Sequence, residues 1–137
     1  MKLKHLQMNQ TLNQFNRLSP AIDDTKRPLS QQNLLFWVAA EDQPPTPSAL
    51  ADAMGLTKAA ITKMLNPLID DGLLTKTMDV RDNRSFTLSL TPAGEAEVAA
   101  LSPTYFEPMN RLREGMGQTQ FDQLIELLET ANEVLMD

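Results

Sequence analysis

The sequence predicts a mainly α fold with one small β-hairpin, built as a single domain over residues 1–137, and three observations predict it. Apolar residues recur at three- and four-residue steps along most of the chain, as one face of a 3.6-residue helix requires. A single region reads as strand: around the turn-forming residues Asp79, Asp82 and Asn83, Phe86, Leu88 and Leu90 alternate with Ser85, Thr87 and Ser89. The 137 residues, 42% of them hydrophobic, contain no repeat, low-complexity tract or long linker and suffice for one core.

The elements follow in order. Leu3, Leu6, Leu12, Phe15 and Leu18 recur at multiples of three and predict a first helix from about Lys2 to Leu18, stopped by Pro20. Ser30 is the expected N-cap of a second helix over residues 31–41, and Gln43–Pro45 end it. Thr46, a hydroxyl cap, and Pro47, whose missing N–H costs little in a first turn, open a short third helix that Gly55 closes. Thr57 caps a fourth, closed by Gly72, with Ile61, Leu65, Leu68 and Ile69 on one face and Lys58, Ala59, Thr62, Lys63 and Asn66 elsewhere. Pro67 removes the bond to the carbonyl of Lys63 and is expected to kink this helix or end its first half. Strands are expected over residues 73–78 and 84–90. Thr91 and Pro92 then cap a fifth helix toward Met116, interrupted at Pro103 and Pro108, and Thr119 with Asp122 forms a capping pair for a last helix over residues 121–136.

Charge and composition limit the chemistry. The formal charge is −6, yet residues 95–137 hold nine of the acids against two bases, whereas residues 57–94 hold five bases against four acids. The region of the hairpin is therefore mildly basic, and the acidity lies elsewhere. With no cysteine, disulfides, thiolate metal sites and thiol redox sensing are excluded. His5 is the only histidine, the five glycines are scattered, and the pairs Asp23/Asp24 and Asp70/Asp71 lie at turns and helix ends. No nucleophile with a base, metal cluster or phosphate loop results, so neither an enzyme nor a cofactor or metal is expected. No apolar run approaches the ~18 residues of a membrane span, and the N-terminus lacks the apolar core of a secretory signal. The expected location is the cytoplasm.

Two short helices joined by a tight turn at Met54–Thr57 and followed by a two-stranded hairpin make the pattern of a winged helix-turn-helix. From Leu29 to Gly94 the chain resembles the multiple-antibiotic-resistance repressor (MarR) family of bacterial transcription regulators. "PSALADAMGLTKAAITKMLNPLIDDGLL" resembles that family's helix-turn-helix, and "DNRSFTLSLTPAG" its wing, in which Asp82 and Arg84 precede a strand, Leu90-Thr91 and Gly94. The resemblance implies a winged helix-turn-helix lobe over residues 29–94, flanked by dimerisation helices in residues 1–28 and 95–137. It implies a homodimer that binds double-stranded DNA at a pseudo-palindromic operator, most simply as a repressor. The apolar stripes Leu3, Leu6, Leu12, Phe15 and Phe121, Leu124, Ile125, Leu128, Val134, Leu135 would supply the two-fold interface.

The resemblance also implies residue roles. Arg84 would enter the minor groove, where A·T-rich DNA concentrates negative potential, with its guanidinium held by Asp82 through a bidentate salt bridge. Arg81 and Lys76 would add phosphate contacts, and Thr57, Lys58, Ala59, Thr62 and Lys63 would face the major groove. Thr46 and Ser48 could bind phosphate through hydroxyl and backbone N–H groups, or serve only as caps. Dimers of the family often hold a small-molecule effector, and Phe15, Phe36, Trp37, Tyr105 and Phe106 are the aromatics that could line such a pocket or simply fill the core. The alternative function is a winged-helix protein-interaction module without DNA binding. A solvated charged turn would account for the hairpin in that case.

Overall fold

The computed structural model describes residues 2–19, 27–82 and 84–136. The expected stop at Pro20, the Asp23/Asp24 pair and the turn residue Asn83 lie outside them. Seven helices and one hairpin follow in the order α1 (Leu3–Leu18), α2 (Leu29–Ala40), α3 (Pro47–Met54), α4 (Lys58–Asp70), β1 (Leu74–Met78), β2 (Phe86–Leu90), α5 (Pro92–Tyr105), α6 (Glu107–Met116) and α7 (Gln118–Met136) among these residues. They group into two compact units, residues 23–103 and residues 1–22 with 104–137.

The unit of residues 23–103 is built around α2, α3, α4 and the hairpin. Leu34, Leu35 and Val38 of α2 pack with Leu50 and Ala51 of α3, Ile61, Leu65 and Leu68 of α4, Leu73, Leu74, Leu88 and Leu101. Each leucine taken fully out of water contributes about 1.5–3 kcal/mol, so this cluster is the main stabilising term of the lobe. The two strands pair antiparallel with Leu74 opposite Leu90 and Met78 opposite Phe86. On its other side β2 bonds the segment before α3, where the Leu88 N–H donates to the Pro45 carbonyl at 2.9 Å. That bond holds the hairpin beside the start of α3.

Local chemistry explains most boundaries and corrects several expectations. Thr46 and Thr57 cap α3 and α4 as expected, each hydroxyl oxygen accepting the N–H three residues on, from Ala49 and Ala60 at 3.1 Å. Gly55 closes α3 at φ +67, the left-handed region that a side chain disfavours. Ser30, by contrast, is not the N-cap of α2: the helix begins at Leu29 behind Pro28, with no side-chain cap. Pro67 does not end α4, which runs on to Asp70; what the ring removes is one bond, to the Lys63 carbonyl. Pro103 likewise sits inside α5; the break comes at Phe106, and Pro108 lies in the first turn of α6, where its missing N–H is tolerated. The Thr119–Asp122 capping pair does not form. Helix α7 begins at Gln118, whose side-chain amide donates to Asp122 at 2.7 Å.

The other unit holds α1, α6 and α7. Helix α1 buries none of its residues, and α7 buries only Phe121. Leu3, Leu6, Leu12 and Leu18 on α1, with Ile125, Leu127, Val134 and Leu135 on α7, are exposed in the single chain. No helix among the described residues is long and apolar enough to cross a membrane.

Candidate nucleic-acid interface

Helix α4 divides cleanly into two faces. Ile61, Leu65 and Leu68 are buried, while Lys58, Ala59, Thr62, Lys63 and Asn66 are exposed, so the predicted groove-facing residues share one solvent face. The hydroxyl of Thr62 donates to the Lys58 carbonyl one turn back, at 3.0 Å. Its proton is thus committed within the helix, leaving lone pairs and a methyl group pointing outward. Thr57 is exposed as well, and its hydroxyl oxygen is the cap that fixes the first turn.

The hairpin tip is folded by its own aspartates. The Asp79 carboxylate accepts the Arg81 N–H at 2.8 Å, and the Asp82 carboxylate accepts the Arg84 N–H at 3.0 Å, two side-chain mimics of a backbone turn. Backbone bonds from Asp79 N–H to Ser85 and from Ser85 N–H to Asp82 close the loop at 2.9 and 3.0 Å. The same Asp82 oxygen takes the Arg84 Nε–H at 3.3 Å. The expected bidentate fork is therefore replaced by one oxygen that serves both backbone and guanidinium, because the turn already fixes where that oxygen sits. The Arg84 side chain is 93% exposed. An ion pair in that much water adds about 0–1 kcal/mol to stability, so its effect is to orient Arg84.

Lys76 lies lower on the wing, with Nζ 4.5 Å from the centre of the Phe86 ring. This cation–π contact holds its charge against the flank of the hairpin. Arg81 is exposed at the tip beside Val80, whose surface is wholly open to solvent. Wing and helices meet in a small cleft of about 60 Å³, lined by Thr46, Ser48, Lys58 and Arg84 together with Pro47, Ser85 and Phe86. Residues from the start of α3, the start of α4 and the wing thereby converge. Both helix starts also carry the partial positive charge of their free N–H groups.

The predicted aromatic set divides between the units. Phe36 packs against the core of the lobe and the neighbouring Trp37 is 39% exposed. Phe15, Tyr105 and Phe106 belong to the other unit, where the last two rings meet edge to face at 5.0 Å. Burial pushes the Tyr105 phenol above its usual range, so it stays a neutral hydroxyl at physiological pH.

Sequence reasoning missed Arg27. Its guanidinium donates from one terminal nitrogen to Gln31 Oε1 at 2.8 Å and to Asp71 Oδ2 at 3.1 Å, and from Nε to Glu97 Oε1 at 3.5 Å. Gln32, which is buried, donates its side-chain amide to the Arg27 carbonyl at 2.8 Å. Partners 44 and 70 residues away leave no local pattern to read.

Comparison with known proteins agrees with this architecture. A profile of the MarR family matches residues 29–86. The HTH-type transcriptional repressor YetL of Bacillus subtilis (strain 168) is 27% identical over 95 residues, which are 69% of this chain and 57% of YetL. The chain thus spans little more than half the length of that relative. Among solved structures, the S. aureus MepR–DNA complex superimposes with a TM-score of 0.74 at 18% identity, over 98% of each chain. The adhesin competence repressor AdcR from Streptococcus pyogenes does so with 0.70 at 21% identity, over 100% of each. At such identities the superpositions establish a shared fold. The profile falls on the segment that carries the helix-turn-helix and most of the wing, so residues 29–86 are similar to the MarR family.

Proposed function

We propose that this chain is a transcriptional repressor that binds a pseudo-palindromic operator as a homodimer in the cytoplasm. The observation that carries the reading is the convergence of Thr46, Ser48, Lys58 and Arg84 on one cleft, beside the exposed face of α4. Cations and helix starts gathered on one edge suit a phosphate backbone, and the preorganised Arg84 suits the minor groove next to it. In this reading α4 enters the major groove with Thr57, Lys58, Ala59, Thr62 and Lys63 toward the bases. Arg81 and Lys76 meet phosphates, and Asp82 holds Arg84 ready. The naming of YetL as a repressor, and of MepR in complex with DNA, supports it.

A dimer accounts for apolar residues of α1 and α7 that a single chain leaves in water. Two α4 helices related by a two-fold axis would then meet half-sites about 10 bp apart. An effector that contacts Phe15, Phe36, Trp37, Tyr105 or Phe106 would act on this assembly, and no catalysis is involved.

Gel-shift titration on one operator, with its A·T-rich flanks intact or replaced by G·C, tests the reading. Binding should weaken steeply between roughly 50 and 200 mM salt. Arg84→Ala should lose about 1–3 kcal/mol of affinity and most of the difference between flanks, and Asp82→Ala should do so more mildly. An Arg84→Ala protein that binds both duplexes like the wild type would make the wing an ordinary charged turn. Wild-type protein with no salt-dependent binding would leave the protein-interaction module as the better description.

A further inference from the structure

The corner that follows α4 is gripped by α5 from two sides. On one side the Thr91 N–H donates to the Leu73 carbonyl at 3.0 Å and its hydroxyl bonds the carbonyl of Gly72. Gly94, in the first turn of α5, lies so close that a Cβ there would fall onto the Leu73 carbonyl oxygen. On the other side stands Arg27, bonded at once to Asp71, the residue that ends α4, and to Glu97, one turn beyond Gly94 in α5. Its side chain is only 14% exposed; from the start of α2, Gln31 accepts from the guanidinium and Gln32 donates to the backbone carbonyl.

We infer that Arg27 is a positioning residue for operator recognition, fixing the C-terminal end of α4 to α5 and thereby setting the tilt at which α4 meets the groove. The inference rests on the DNA-binding reading. Ile61, Leu65 and Leu68 hold α4 on the core, but apolar attraction has no direction and tolerates a change of tilt. Direction comes from hydrogen bonds that reach other elements, and at the C-terminal end of α4 Arg27 supplies one through Asp71. Asp71 and Glu97 are 53% and 31% exposed, so these ion pairs add little to stability, and geometry is the effect they can have. A planar fork that reaches two helices together suits that task, whereas a lysine would offer one point of attachment. The chain leaves the lobe through α5, so the same contact lies where the spacing of two copies would be passed to α4.

The test uses full-length protein and the palindromic duplex that the wild type selects from a random pool, alongside the same duplex with its half-sites moved apart by one base pair. Wild-type protein should discriminate between the two. Arg27→Gln should bind the selected duplex roughly three- to tenfold more weakly and discriminate less, with the salt slope unchanged because no phosphate contact is lost. Asp71→Asn and Glu97→Gln, which each cut one exposed arm, should do the same more mildly, with melting temperatures close to wild type; they carry the test if Arg27→Gln folds poorly. An Arg27→Gln protein that melts lower yet binds both duplexes at 25 °C like the wild type overturns the inference and leaves the DNA reading standing, as does a reduced salt slope, which would make Arg27 a phosphate ligand. If the wild type selects no DNA at all, the DNA reading falls and the inference with it.

Discussion

The two units of this chain differ in what they bury. Among the described residues, all the buried hydrophobic ones except Phe121 lie in residues 23–103, where helices and hairpin close on one another. The terminal unit keeps its apolar side chains in water: Leu3 is 70% exposed, Leu127 69% and Leu135 81%. Both parts draw on the same leucine-rich vocabulary. The lobe satisfies its hydrophobic surface with its own residues, while the terminal helices leave apolar surface exposed that the proposed dimer would cover.

Deleting part of the terminal unit gives the largest effect. Removal of residues 119–137 should leave a monomeric or insoluble protein, and full-length chain should sediment as a dimer at about tens of micromolar. A full-length monomer at that concentration would erase the contrast between the units. A cut into the lobe core is next. Leu65→Ala removes a side chain that is 2% exposed and should cost about 2–5 kcal/mol in chemical denaturation, through lost burial and the cavity left behind. The smallest change touches a single bond: Thr57→Ala removes the cap of α4 and should lower stability by about 1 kcal/mol, seen in the same denaturation experiment.

What was legible in the sequence follows the range of the forces involved. The starts of α3 and α4 were readable because each depends on a threonine and the N–H three residues later. The hairpin was readable because alternation and aspartate turns are equally local. Ser30 misled because α2 starts two residues sooner, behind Pro28, and of the two outcomes expected at Pro67, an end to the helix does not occur. The break falls at Phe106, between Pro103 and Pro108, rather than at either proline. In the candidate site, the faces of α4 could be counted off, whereas the single-oxygen clasp of Arg84 and the Arg27 network needed three-dimensional placement.

The inward bond of Thr62 has a consequence for the alphabet of an operator. In the proposed reading, a hydroxyl whose proton points at Lys58 would meet the major groove as an acceptor beside a methyl group. The exocyclic amines of adenine and cytosine complement it, as does the thymine methyl, while the two acceptors on the guanine edge do not. Lys63, next along the same exposed face, has donors alone and would suit the acceptors of guanine, adenine and thymine. In the proposed reading the two neighbouring positions would differ most at guanine, which suits Lys63 and not Thr62, whereas adenine and thymine each offer something to both.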